Sequence, residues 1–227
     1  MQLDISRIKA LCFDVDGTLS DTDDHFKQII ERLLTPVKFF LPNQDPGPIA
    51  RKLVMLSESP GNFLMGIPDK FGIDDELAAI GDFLYRQGHR KTDGFLLIPG
   101  IRNTLEKLKN HYPMSIVSAR GAISTNYFLN QFNLRPFFDF IVTAHTCEYT
   151  KPYPDPINWA ARQMNIKPEE CLMIGDTTID IRSAKAAGAQ SVGVLCGFGQ
   201  EEELHQSGAD LILESTSLLA DVLLTFP

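Results

Sequence analysis

The sequence predicts an α/β protein in which a parallel β-sheet is covered by helices on both faces and carries an all-helical insert. Short apolar runs alternate with helical patterns over most of the 227 residues, and the runs are continuously apolar, as in strands buried on both sides. The alternation breaks between residues 21 and 95, where no convincing strand occurs and six prolines separate short helical segments.

The apolar runs and the helical patterns define the elements of the sheet domain. Six strands are predicted, at Ile8–Phe13, Met114–Ser118, Phe140–Thr143, Cys171–Ile174, Ser191–Leu195 and Leu211–Leu213. Four helices are predicted, at Ile101–Asn110, Ile123–Phe132, Pro156–Met164 and Ile179–Ala187. Pro99-Gly100 precedes the first of these helices and Gly188 ends the last.

The insert spans residues 21–95, and the sheet domain comprises residues 1–20 and 96–227. Four amphipathic helices are predicted in the insert, at Phe26–Leu34, Ile49–Ser57, Phe63–Lys70 and Glu76–Gly88. An elaborate crossover packed on the sheet is the alternative interpretation. We expect hinges near residues 20–22 and 95–99, where the chain passes between the two parts.

The composition argues against a nucleic-acid-binding, secreted or membrane-spanning protein. Apolar residues make up 44% and charged residues 22%, which is ordinary for a globular protein. The formal charge of −8 argues against a nucleic-acid partner, since phosphate backbones need clustered cations. The N-terminus does not resemble a signal peptide, and no run approaches the roughly 18 apolar residues of a membrane span. We expect a cytoplasmic monomer or homodimer without a membrane partner.

The cysteines indicate a reducing compartment. None of the four forms a Cys-x-x-Cys pair, and three lie in or beside apolar runs. We expect small core residues rather than a disulfide or a zinc site at Cys12, Cys147, Cys171 and Cys196.

Polar clusters follow the predicted strands, and ligands of open parallel sheets bind beyond the carboxyl ends of the strands. Four clusters lie at such positions: Asp14 with Asp16, Ser118-Ala119-Arg120, Lys151-Pro152, and Gly175-Asp176 with Asp180. Each cluster alone is a weak signal. Their order and their common location predict one site.

Asp14 and Asp16 are two residues apart, so in an extended segment both side chains point to one side. Two carboxylates at this spacing repel each other unless a cation or a proton lies between them. A turn or a helix cap is the alternative explanation, because Asp-Gly is a common turn signal. Asp176 and Asp180 add further carboxylates, and a site lined by hard oxygen ligands suits Mg²⁺ better than zinc.

The four clusters, in order, resemble the four motifs of the haloacid dehalogenase-like hydrolases. The matching residues are Asp14-Val-Asp16-Gly17-Thr18, Ser118, Lys151-Pro152 and Gly175-Asp176-x-x-x-Asp180. The tail at Ser191–Leu213, with VGVLCGFG, EEL and GAD, resembles the phosphoglycolate phosphatase and pyrophosphatase branch. The resemblance implies a Rossmann-like parallel-sheet core and identifies the insert as an all-helical cap domain.

The resemblance also implies a Mg²⁺-dependent phosphatase that hydrolyses small-molecule phosphate monoesters, phosphoglycolate among the candidates. Asp14 would attack phosphorus to form an aspartyl-phosphate. Asp16 would protonate the leaving oxygen and later deprotonate the attacking water. Ser118 and Lys151 would hold the phosphoryl oxygens. The implied metal residues are Asp14, the Asp16 carbonyl, Asp176 and Asp180, the last also orienting Lys151, and the implied substrate contacts are Gly17, Thr18, Ala119 and Arg120.

Several other activities remain as alternatives. A dehalogenase has no use for Asp16 or Asp176, and a phosphonoacetaldehyde hydrolase needs a cap lysine in a recognisable context, which the insert lacks. The region from Asp21 to Phe26 resembles sugar-phosphate mutases of the β-phosphoglucomutase type, but Gly175 stands where those mutases usually carry a carboxylate. A non-catalytic phosphate-binding or regulatory protein is the alternative of another class.

Overall fold

A computed structural model describes residues 3–21 and 95–225 of the chain. The helices predicted between Phe26 and Gly88 lie outside the described residues, and so does the mutase-like region from Thr22 onward. The described residues contain the strands, the connecting helices and all four motifs of the predicted site.

Six strands form one parallel sheet, which confirms the predicted fold class. The strand order is β3-β2-β1-β4-β5-β6. The strands are β1 Ala10–Phe13, β2 Met114–Val117, β3 Phe140–Val142, β4 Cys171–Gly175, β5 Gln190–Val194 and β6 Leu211–Leu213. The order changes direction between β1 and β4, which is the point where open α/β sheets form their ligand crevice.

Six helices cover the described part of the sheet. They are α1 Ile101–Lys109, α2 Ala122–Gln131, α3 Asp155–Gln163, α4 Thr178–Ala187, α5 Glu201–Gln206 and α6 Leu219–Leu223. The four longer helices confirm the prediction. The sequence pattern did not indicate α5 and α6, because a helix of five or six residues has too few turns to establish an apolar periodicity.

Side chains alternate between two packed faces of the sheet. Leu11 and Phe13 of β1 face a large core cluster that includes α1 and α2, and the Phe13 ring meets the Phe138 ring edge-on at 6.0 Å. Ala10 and Cys12 face a second cluster with α3 and α4. Because both faces are covered, the strand carries no polar residue, which explains its continuously apolar sequence.

The cysteines fit the prediction of small core residues. Cys12 and Cys171 are buried, Cys147 and Cys196 are partly buried, and all four are free thiols. Among the described residues, no helix has the length and apolar character that crossing a membrane requires.

The ends of the insert leave and re-enter the sheet domain side by side. Ser20 and Leu97 form an antiparallel bridge. Asp21 donates its N–H to Leu96 at 2.8 Å, and Ile98 donates to Leu19 at 3.0 Å. The two predicted hinge regions therefore touch each other, while hinge motion itself stays a prediction.

Candidate active site

The central strands bring two aspartates to the same edge of the sheet. β1 and β4 pair with Phe13 opposite Ile174, and the N–H of Asp14 donates to the Ile174 carbonyl at 2.9 Å. Asp14 follows β1 directly, and Asp176 follows β4 directly. The two carboxylates therefore meet at the crevice where the strand order changes direction.

A tight turn follows Asp14. The N–H groups of Leu19 and Ser20 both donate to the Val15 carbonyl, at 2.9 and 2.8 Å. Gly17 has a φ of +65°, a left-handed conformation that a side chain would disfavour. The turn reverses the chain immediately after the nucleophile candidate, so the backbone of this segment lies at the crevice.

Lys151 joins two of the carboxylates. Its ammonium nitrogen lies 2.7 Å from Asp14 Oδ1 and 2.6 Å from Asp180 Oδ1, and all three side chains are largely buried. Asp180 in turn caps α4, where its Oδ2 accepts from the Thr177 N–H at 3.1 Å and from the Thr177 hydroxyl at 2.7 Å. The start of α4 therefore fixes Asp180, which holds Lys151 against Asp14.

Three buried carboxylates meet at this point beside one ammonium. Asp14, Asp176 and Asp180 are buried, and each has a carboxylate oxygen within 4.8 Å of the others. Lys151 supplies an ammonium between Asp14 and Asp180. Burial raises the pKa of Asp14 to about 7, Lys151 opposes this shift, and the Asp180 and Asp16 carboxylates add to it. A buried donor set made of carboxylate oxygens fits Mg²⁺.

Lys151 remains charged in this setting. Burial works to lower its pKa, but the carboxylates of Asp14 and Asp180 outweigh burial and raise the pKa above its ordinary value. The ammonium therefore persists as a fixed positive charge beside Asp14.

Glycines make room for the acidic residues. A Cβ on Gly175 would overlap the Asp180 side chain, and a Cβ on Gly197 would overlap the Asp176 carboxylate. A Cβ on Gly199 would overlap the Asp176 carbonyl, while the intervening Phe198 donates its N–H to Asp176 Oδ2 at 2.8 Å. The loop after β5 is thus a close-fitting support for Asp176. The Gly-x-Gly spacing was a signal for this role that the sequence reasoning did not use.

Asp16 pairs with Arg120. Its carboxylate accepts two hydrogen bonds from Arg120, one from Nε and one from Nη2. A tight turn follows Val15, and among the described residues the Asp14 side chain contacts Lys151 while the Asp16 side chain contacts Arg120. The Asp16 carbonyl stays the predicted metal contact.

Ser118 and its neighbours lie one strand away. Ser118 follows β2 and is buried, its N–H donates to Val142 at 3.0 Å, and its hydroxyl accepts from the Arg120 N–H at 3.1 Å. Ala119 is exposed. Thr18 is buried, and its hydroxyl donates to Asp176 Oδ1 at 3.5 Å. Contact of Ser118, Ala119 and Thr18 with a substrate stays a prediction.

The chain is similar to known phosphatases along nearly its whole length. A family model described as haloacid dehalogenase-like hydrolase matches residues 11–194. Pyrophosphatase PpaX of Anoxybacillus flavithermus is 31% identical over 95% of this chain and 97% of its own. A phosphoglycolate phosphatase of Vibrio vulnificus is 27% identical over 96% of both chains.

A solved structure shares the fold. The crystal structure of a hydrolase from Pseudomonas syringae superposes with a TM-score of 0.68 at 26% identity, covering 94% of this chain and 97% of that one. Together with the motif geometry, these matches show that the chain belongs to the haloacid dehalogenase-like hydrolase family.

Proposed function

We propose that this enzyme is a Mg²⁺-dependent phosphatase that hydrolyses small-molecule phosphate monoesters through an aspartyl-phosphate on Asp14. The observation that carries the proposal is the buried meeting of Asp14, Asp176 and Asp180 around Lys151 at the crevice of the sheet. Such a site suits an anionic substrate only if cations compensate its carboxylates. The phosphatase names of the relatives support the same reaction class.

The first half-reaction transfers the phosphoryl group to the enzyme. An oxygen of Asp14 forms a bond to phosphorus, and the bond from phosphorus to the leaving oxygen breaks. Asp16 gives its proton to that leaving oxygen. Lys151, held 2.7 Å from Asp14, keeps the nucleophile in place and offsets charge on the phosphoryl oxygens.

The second half-reaction releases phosphate. The oxygen of a water molecule bonds to phosphorus, the bond from phosphorus to Asp14 breaks, and its electron pair returns to the carboxylate of Asp14. Asp16 takes a proton from that water. We assign the phosphoryl oxygens to the Ser118 hydroxyl, Lys151 and backbone N–H groups near Gly17 and Ala119.

Mg²⁺ would be held by Asp14, the Asp16 carbonyl and Asp176. When bound, Mg²⁺ neutralises charge so that an anionic nucleophile and an anionic phosphoryl group can approach each other. Asp180 accepts from Lys151 through Oδ1 and from Thr177 through Oδ2, which supports a role for Asp180 in orienting Lys151.

Gly175 favours hydrolysis over mutase activity. The resembling mutases usually carry a carboxylate at this position, but here the space of a side chain is occupied by Asp180. We propose a small phosphorylated metabolite as substrate, with phosphoglycolate as a candidate because relatives carry that name. A cytoplasmic location is proposed from the four free thiols.

Product identity tests the proposed reaction. The enzyme with Mg²⁺ is incubated with β-glucose 1-phosphate and, separately, with 2-phosphoglycolate, and products are followed by ³¹P NMR. We expect inorganic phosphate without a bisphosphate activator. Glucose 6-phosphate as the main product would replace the hydrolase proposal with the mutase alternative.

Replacement of the nucleophile candidate tests the role of Asp14. Asp14→Asn keeps the shape of the side chain but removes the attacking anion, so we expect phosphate release to fall by several orders of magnitude, roughly as for other lost nucleophiles. Asp221→Asn is the matched control, because Asp221 is an exposed residue of α6 remote from the sheet edge. Retention of more than about one per cent of activity would contradict a nucleophilic role.

The buried cluster of three carboxylates predicts that activity depends on a metal ion. We expect EDTA to abolish phosphate release and Mg²⁺ to restore it. Ca²⁺ should compete without supporting turnover, because its larger and looser coordination misplaces the nucleophile. Full activity in a sample shown to be metal-free by elemental analysis would contradict the proposed Mg²⁺ dependence.

The glycine support of Asp176 gives a structural test of the same site. Gly197→Ala must displace the Asp176 carboxylate, so we expect Mg²⁺ to raise the melting temperature only at concentrations about tenfold or more above those of the wild type. The control is Gly188→Ala, where a Cβ meets nothing within 4 Å and only the left-handed backbone is strained. Equal Mg²⁺ dependence in the two variants would argue against Asp176 as a ligand.

A further inference from the structure

Arg120 makes contacts that the proposed chemistry has not yet used. Its guanidinium meets the Asp16 carboxylate edge-on, with Nε donating to one oxygen and Nη2 to the other. Only 19% of the Arg120 side chain and 16% of the Asp16 side chain are exposed. A two-point pairing of this kind fixes the orientation of a carboxylate as well as its charge.

Arg120 is itself held from two further directions. Its backbone is anchored between loops, since its N–H donates to Ser118 Oγ at 3.1 Å and its carbonyl accepts from Ala144 at 3.0 Å. Its guanidinium carbon lies 4.6 Å from the centre of the Phe95 ring. That ring packs edge-on against Phe128 of α2, with ring centres 5.6 Å apart.

These contacts hold the guanidinium on two sides. The Phe95 ring lies against the guanidinium carbon, and Asp16 accepts hydrogen bonds along one edge of the group. The remaining nitrogen, Nη1, is buried and has no hydrogen-bond partner among the described residues. Within the described residues, the guanidinium donates two hydrogen bonds, and both go to Asp16. The position of Arg120 and the orientation of Asp16 therefore depend on each other.

We infer that Arg120, stacked on Phe95, is a positioning residue that holds Asp16 as the base for hydrolysis of the aspartyl-phosphate, an inference that rests on the proposed function. Two N–H donors directed at the two oxygens fix the plane of the Asp16 carboxylate. Asp16 is in the carboxylate form once it has given its proton to the leaving oxygen in the first half-reaction. The carboxylate form is the one that accepts a proton from water in the second half-reaction. Arg120 therefore acts through Asp16 and not through the substrate.

The inference has a kinetic signature. In a two-step mechanism, slowing only the second step lowers kcat and KM by the same factor and leaves kcat/KM unchanged. An arginine that instead binds the substrate would, when removed, raise KM and lower kcat/KM. An arginine that merely supports the fold would lower the melting temperature and reduce both half-reactions.

The test uses p-nitrophenyl phosphate with the Mg²⁺-loaded enzyme in a rapid-quench experiment. For Arg120→Ala we expect a burst of nitrophenol close to one per active site, followed by slow turnover. Decay of the phosphoenzyme should slow by about 10- to 100-fold, a part of the 10²- to 10⁴-fold that a positioned base contributes. kcat/KM should stay within about twofold of the wild type.

Three further variants separate positioning from other roles. Arg120→Lys keeps the charge without the two-point geometry and should recover phosphoenzyme decay only in part. Phe95→Leu removes the stacking ring and should give the same signature with a smaller effect. Arg7→Ala, at an exposed arginine of the N-terminal segment, is the control and should match the wild type.

A double variant tests whether Arg120 acts through Asp16. Phosphoenzyme decay in Asp16→Asn/Arg120→Ala should be as slow as in Asp16→Asn alone, because the group that Arg120 positions is already lost. Multiplied effects would overturn the inference, and so would a raised KM with unchanged kcat in Arg120→Ala. If Arg120→Ala does not fold, Arg120→Lys and Phe95→Leu serve as the test of positioning. Phosphoenzyme decay at the wild-type rate in both variants would then contradict the inference. A wild-type enzyme that releases no phosphate from any ester refutes the proposed function itself and the inference with it.

Discussion

The buried ammonium of Lys151 is the constraint on which the site depends. Three carboxylates at the ends of β1 and β4 and the start of α4 would repel one another in a buried region, and an unpaired buried charge is strongly unfavourable. Lys151 contacts Asp14 and Asp180 at once, which links the loop after β3 to both ends of the acidic cluster. The three buried carboxylates form an oxygen-lined site of the kind that fits a divalent cation.

Backbone geometry allows this charge arrangement to exist. Asp176 and Asp180 are packed so closely by Gly175, Gly197 and Gly199 that no Cβ could be added without displacing an acidic residue or its carbonyl. Close contact with the glycine backbone therefore restricts the positions that the two acidic side chains can take. Such rigid support is what a site needs when it must hold several like charges in one place before a ligand arrives.

The strands of the sheet could be predicted well from the sequence. The four inner strands, β1, β2, β4 and β5, are buried on both faces. A strand buried on both faces is usually a continuous apolar run, which is easily recognised. It predicted that Asp14, Asp176, Asp180 and Lys151 would lie together, since parallel strands end at one edge. It did not predict the support of Asp176 by the loop at residues 197–199 or the pairing of Asp16 with Arg120. Those contacts join residues far apart in the chain, and local periodicity carries no information on side-chain direction after a turn.

The turn after Val15 explains how two carboxylates only two residues apart can follow one strand. Reversal of the chain directs Asp14 to Lys151 and Asp16 to Arg120, so each carboxylate has its own cation. Their environments then differ, because Asp14 is held by a point charge in the acidic cluster and Asp16 by a planar, two-point donor at the rim. In the mechanism we propose, the nucleophile Asp14 must keep one oxygen accessible to phosphorus, and the base Asp16 must keep its orientation toward water. The two pairings fit these separate requirements, so the proposal can assign different steps of one reaction to residues two positions apart.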